Sequence, residues 1–233
     1  MANRGLIQIA GIRNPAEAQL LVDAGVDWLG FPFRLAYHKE DTSVAEAAHI
    51  IKNLPDSVSA VLITYLNQVD EILQLAAELG VDHIHFHGEV SVNLLKTLRR
   101  RRADLFIIKS LVVKPHHFEE LAQAVAMYAP HVDAFITDTF DPHTGASGAT
   151  GKTHDWKISR RLVELSPRPI ILAGGLNPDN VENAVKCVRP AGVDVHTGVE
   201  DAAGNKEPQR VRRFVKQARW AFQKYPPLKR VSF

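Results

Sequence analysis

The feature that most constrains this chain is its hydrophobic rhythm. From Leu6 onward, short apolar runs rich in Val, Ile and Phe alternate with longer segments whose apolar residues recur at helical spacing. The runs are Leu6 to Ala10, Trp28 to Phe33, Ala60 to Leu66, His83 to His87, Phe106 to Leu111, Ala134 to Asp138, Ile170 to Ala173 and Val193 to Thr197. Eight strands, each followed by a helix and spaced by roughly 27 residues, are the repeating unit of a (β/α)8 barrel. The sequence therefore predicts one α/β domain, a single TIM barrel over residues 1–225, with 226–233 as a loose tail. A doubly wound open sheet competes, but it carries a glycine fingerprint after its first strand, where this chain has Gly11-Ile12-Arg13-Asn14.

Helix ends support the alternation. Asn14, Pro15 and Glu17 read as an N-cap, a first-turn proline and a capping-box acid, with Gly25 as the left-handed stop. Ser43 with Glu46 makes a second capping box, Asn67 and Gly80 bracket the third helix, and Asn177-Pro178 opens the seventh. The last helix, from about Glu207 to Phe222, puts Val211, Phe214, Val215 and Ala218 on one stripe.

Composition narrows the partners. The 233 residues carry a net charge of +2, which supplies no general field for nucleic acid or an anionic membrane. The run Arg99 to Arg102 ends a helix, where cations meet the C-terminal dipole in solvent. Cys187 is the single cysteine and has no partner for an internal disulfide. No apolar run reaches the length of a membrane span and the N-terminus lacks a signal-peptide stretch, so a cytoplasmic protein is expected.

Barrel chemistry sits at the C-terminal ends of the strands. On the fourth strand Ile84 and Phe86 must meet helices, so His83, His85 and His87 face the lumen, and the same parity is read for Gln8, Ala10, Lys109, Asp138, Asp194 and His196. Such a lumen is too polar for packing alone, although His83, nearest the bottom, fits a structural layer. Three inward histidines invite a metal, but alternate residues of one strand lie nearly 7 Å apart, and the reading taken is no metal. Gly174-Gly175 and Thr197-Gly198 follow the last two strands, where backbone N–H groups commonly hold a phosphate, and a small phosphorylated ligand is the expected partner. The glycine-containing loop from Thr139 to Lys152 has the length of a cover over a bound ligand.

Three segments then match a known family: Leu172-Ala173-Gly174-Gly175-Leu176-Asn177-Pro178-Asp179-Asn180-Val181, Val193-Asp194-Val195 leading to Gly198-Val199-Glu200, and Gly148-Ala149-Thr150-Gly151-Lys152-Thr153-His154-Asp155-Trp156. Gly30-Phe31-Pro32-Phe33 and His87-Gly88-Glu89 match more weakly. Over residues 6 to 222 the chain resembles phosphoribosylanthranilate isomerase of tryptophan biosynthesis. The resemblance implies a barrel without metal or cofactor that opens a phosphorylated aminoaldose ring and moves a proton from C2 to give the aminoketose. It places the general acid at Asp138 and the base, a Cys in the family, at Ala10.

Alanine accepts no proton, so base or substrate must differ here. Further departures are Lys39, in a segment where the family has an Arg for the anthranilate carboxylate, His85 in place of Gln, and His196-Thr197 in place of a Ser pair. The reading is an isomerase of a phosphorylated pentose derivative with Asp138 and His85 as acid and base. Gln8, Lys39, His87, Lys109, Asp194 and His196 contact substrate, and Gly174, Gly175, Thr197 and Gly198 hold phosphate. Alternatives are a phosphosugar lyase or aldolase using the Lys109 amine, or a non-catalytic phosphate-ligand binding barrel.

Overall fold

The computed structural model describes residues 4–35, 40–114, 117–139 and 153–229. Eight strands and eight helices alternate: β1 (Leu6–Ala10), α1 (Pro15–Ala24), β2 (Trp28–Phe33), α2 (Val44–Lys52), β3 (Ser59–Thr64), α3 (Val69–Leu79), β4 (His83–Phe86), α4 (Val92–Arg101), β5 (Phe106–Val113), α5 (Phe118–Tyr128), β6 (Ala134–Thr139), α6 (Trp156–Leu165), β7 (Ile170–Leu172), α7 (Val181–Val188), β8 (Gly192–Val195) and α8 (Pro208–Lys224). All neighbours pair in parallel, and β8 pairs β1 to close the barrel. The predicted (β/α)8 barrel is the fold.

Two apolar layers follow from strand parity. Ile7, Leu29, Phe31, Leu62, Ile84, Phe86, Ile107, Phe135 and Val193 face outward and join the helices in one buried cluster. Leu6, Ala10, Val61, Ile63, Ile108, Ala134, Ile136 and Ile171 fill the lumen. At its floor His83 lies against Phe106 and meets Trp28 edge-on, each at 5.0 Å between ring centroids, so His83 takes the structural place expected of it.

The phase of β5 corrects the sequence reading. Ile108 belongs to the lumen and Ser110 reaches His85, so Lys109 points the other way, in register with the outward Phe86. Phe106 to Leu111 is buried on both faces, as parallel barrel strands are, and shows no alternation from which to read a phase.

Local signals explain most element ends. Asn14 accepts from the Glu17 N–H at 3.0 Å, and Gly25 has φ 83°. The Glu17 carboxylate accepts from the Arg13 and Lys206 N–H groups, both at 2.9 Å, which joins the start of α1 to the segment before α8. Other ends move. Gln68, not Asn67, precedes α3, while Asn177 closes a turn by accepting from Asp179 and Asn180, so α7 begins only at Val181. β8 stops at Val195, and Thr197–Val199 forms a 3-10 turn. Residues 226–229 are tied down rather than loose: Leu228 N donates to Arg189 O, and Lys229 Nζ donates to Glu164 O. Arg99, Arg101 and Arg102 each pair with an aspartate. Among the described residues no helix is long and apolar enough to cross a membrane.

Candidate active site

At the C-terminal mouth the strands deliver most of the polar residues that parity selects. Asp138, next to last in β6, is almost fully buried. Its Oδ1 accepts from the Thr139 N–H at 2.7 Å, and its Oδ2 lies 2.8 Å from His87 Nε2. The His87 ring stacks on Tyr65 with 5.0 Å between centroids, which sets its plane, and its Nδ1 is buried without a partner. Asp138 and His87 are thus one hydrogen-bonded unit, and the carboxylate pairs with this imidazole rather than with Lys109.

His85 lies below them, level with Ile63 and Ile108. Its Nε2 meets Ser110 Oγ at 2.7 Å while Nδ1 is unpartnered. Burial holds the imidazole well below its usual pKa, and the nearby His87 and Lys109 act in the same direction. It is therefore neutral at physiological pH.

Gln8 and Asp194 face each other across the β1–β8 seam. Both Gln8 amide atoms and Asp194 Oδ1 are buried without partners. Burial pushes the Asp194 carboxyl up to about 7, and the negative charge of Asp138 adds to this.

His196 follows β8 and leans over the end of β1. Gly11 has φ 79°, and a Cβ there would collide with His196 Nε2, so the imidazole occupies space that only glycine leaves open. His196 Nε2 is 3.3 Å from Glu200 Oε1, which in turn receives Lys206 Nζ at 2.6 Å. Burial alone would raise the Glu200 carboxyl, but His196 and Lys206 together outweigh it and hold it below the usual range. Glu200 and Lys206 received no role from the sequence. Glu200 lay within a recognised segment, whereas nothing in Lys206 itself announced a buried ammonium.

The two glycine loops adjoin. Gly174, at φ 97°, lies against Thr139 Oγ1, and Gly198 lies so close to the Leu176 carbonyl that neither position has room for a side chain. Gly175 O is held by Asn180 Nδ2 at 2.9 Å, and Thr197 opens the 3-10 turn, exposed at the rim. Behind Gly174 stands His154, missed by the sequence reading, bridging Thr139 Oγ1 at 2.9 Å and Ser159 Oγ at 2.6 Å. Burial lowers it to about 4 against the pull of Asp138 and Asp155, so it is a neutral brace.

Two predicted residues do not join this set. Lys109 turns to α5: its Nζ donates to Ser110 O at 2.9 Å and sits 5.8 Å from the Tyr128 ring centroid. Burial lowers it to about 8, with Glu89 opposing. Outside the lumen, it contacts no substrate there and cannot serve a lyase at the barrel mouth as amine nucleophile. Lys39 and most of the loop after β6 lie outside the described residues. Among the described residues no group of three or more His, Cys, Asp or Glu side chains is placed to hold a metal ion.

Comparison with known proteins identifies the relatives of this barrel. Residues 7–217 match the model of the N-(5'-phosphoribosyl)anthranilate (PRA) isomerase family. The N-(5'-phosphoribosyl)anthranilate isomerase of Desulforudis audaxviator is 38% identical over 216 residues, covering 93% of this chain and 98% of that protein. The crystal structure of phosphoribosyl anthranilate isomerase from Thermotoga maritima superposes with a TM-score of 0.78 at 30% identity, over 94% of this chain and 98% of that one. A structure of phosphoribosyl anthranilate isomerase holding reduced 1-(o-carboxyphenylamino)-1-deoxyribulose 5-phosphate superposes at 0.76 with 28% identity and the same coverage.

Proposed function

The chain belongs to the N-(5'-phosphoribosyl)anthranilate isomerase family, and we propose that its barrel mouth performs the family's ring-opening isomerisation with Asp138 as the general acid. The enzyme is an intramolecular aldose-ketose isomerase of the tryptophan pathway type. Its substrate is a small phosphorylated aminopentose, of the kind whose reduced product analogue occupies the related structure. Near-neutral charge and a single cysteine fit a cytoplasmic enzyme without nucleic-acid or membrane partners.

The observation that carries the reading is the Asp138–His87 pair facing the lumen. Oδ1 is occupied by the Thr139 N–H, so Oδ2 is the oxygen that exchanges a proton with His87 Nε2 and with a ligand. A proton held between these two atoms can pass to the ring oxygen as the C1–O bond opens and the amine lone pair forms the iminium. Gly174, Gly175, Thr197 and Gly198 anchor the phosphate through backbone N–H groups, supported by the contact of the two loops at Leu176. Gln8 and Asp194, expected from the sequence to contact substrate, lie deeper, as a buried polar layer beneath this space.

The test is turnover of phosphoribosylanthranilate by the full chain and by Asp138→Asn. Loss of the acid lowers kcat by at least about 10²-fold while phosphate affinity is kept. Near-normal turnover by the variant removes Asp138 from the mechanism. A wild-type chain that neither turns the substrate over nor supports growth of an auxotroph lacking this isomerase overturns the reaction itself.

A further inference from the structure

Resting on that reaction, the position of β1 raises a question of chemistry: a C2 proton must be removed, and Ala10 has no group to take it. Four other ionisable side chains at the mouth could. Asp138 and His87 are engaged with each other as the acid. His85 is a layer lower, neutral and bonded to Ser110. Asp194 is level with Gln8, two residues and therefore nearly 7 Å below Ala10 along the strand.

His196 differs from all of them. The last paired residues of the seam are Ile9 and Val195, so His196 is the first residue past β8 and stands beside the end of β1, where Ala10 lines the lumen. Its imidazole reaches across to the Cα of Gly11, over the end of β1, and the ring is only 26% exposed. Glycine at 11 leaves that space open. We infer that His196 is the general base of the isomerisation, standing in for the side chain that Ala10 lacks, with Glu200 and Lys206 as its positioning residues.

The arrangement has the parts a base needs. Nε2 faces Glu200, so an N–H directed at the carboxylate leaves the lone pair on Nδ1. After ring opening has produced the C1=N iminium, Nδ1 takes the C2 proton. The C2–H electrons form C1=C2, and the C=N electrons return to nitrogen as a neutral enolamine. The proton is returned at C1 as the C2 hydroxyl gives its own to Asp138, which replaces the proton spent on ring opening, and C2=O completes the aminoketose. The imidazolium formed in between faces an ionised Glu200, which Lys206 keeps in place from a fully buried position. Of the other charges, Asp194 on β8 interacts with the ring and is itself acted on by Asp138, while Glu17 on α1 and Asp41 after β2 act through Lys206.

The experiment uses the full chain with phosphoribosylanthranilate and three variants, each checked for cooperative thermal unfolding. His196→Gln lowers kcat by about 10² to 10⁴-fold, with KM changed far less, and removes the acid limb of the kcat profile. Glu200→Gln lowers kcat with KM changed far less, because the carboxylate that orients the ring and faces the imidazolium is gone. Ala10→Cys placed in the His196→Gln background restores at least part of the lost kcat, a rescue that a purely structural role for His196 does not produce. Unchanged kcat in His196→Gln overturns the assignment, as does a double variant no better than a folded single one. If the wild-type chain itself shows no turnover, the isomerase reading fails first and this inference falls with it.

Discussion

Asp194 offers a quantitative test of the lumen's electrostatics. Its carboxyl is buried opposite Gln8, which brings no positive charge, and burial with the added charge of Asp138 raises it from 3.8 to about 7. The native state therefore keeps a proton between pH 4 and 7 that the unfolded chain has released. Fewer protons on the unfolded state means that stability falls as pH rises through this window and levels off above the native value. Near pH 5 two pH units still separate the solution from the native pKa, at about 1.4 kcal/mol each, so the contribution lost between pH 5 and pH 8 is about 3 kcal/mol. Asp194→Asn retains the shape and removes the titration. Urea unfolding of both proteins at pH 5 and pH 8 should show the variant gaining about 3 kcal/mol relative to wild type between the two, with m unchanged. Gln8→Lys, which places a cation directly opposite the carboxyl, should reduce the wild-type pH dependence across the same window. A variant-minus-wild-type difference that is equal at both pH values refutes the argument that burial outweighs the opposing pull of Gln8, His196 and Lys206 on Asp194.

The two other predictions concern the phosphate loops and Lys109. Gly174→Ala forces a side chain into φ 97° and against Thr139 Oγ1, which costs about 1–2 kcal/mol in backbone terms alone; calorimetric affinity for inorganic phosphate should fall by about tenfold or more, and an unchanged affinity moves the anion site elsewhere. Lys109→Met should leave turnover within about threefold, and borohydride with candidate phosphosugars should trap no adduct on the wild type, since the amine faces Tyr128 and not the lumen; a trapped Schiff base at Lys109 reverses that assignment.

Much of the fold was legible because its signals are local. Asn14, Ser43, Gly25 and Gly80 act within one turn of themselves, and the structure keeps each as a cap or a stop. On β4 a polar residue stands at every second position, so the inward phase of His83, His85 and His87 could be read from the strand alone. On β5 it could not, because Ile107, Ile108 and Leu111 are buried whichever way they face, and the one informative residue, Lys109, is itself buried on the outer face. Asn67 and Asn177 misled for a related reason: an Asn before a helical pattern serves equally well in a turn, and only the tertiary path of the loop chooses.

By itself the sequence determined that this chain closes an eight-stranded barrel and which residue types stand at the strand ends, with Asp138 and the paired glycines present and Ala10 where the resemblance places a Cys. These follow from periodicity and from residue types, which survive without coordinates. Only the tertiary structure decided which groups meet. The β1–β8 seam brings His196 over Gly11, links it to Glu200 and the buried Lys206, and sets Gln8 against Asp194. These partners lie close together in the last quarter of the chain or almost a whole chain length apart. Their contact is created by closure of the barrel, a distance that no local pattern encodes.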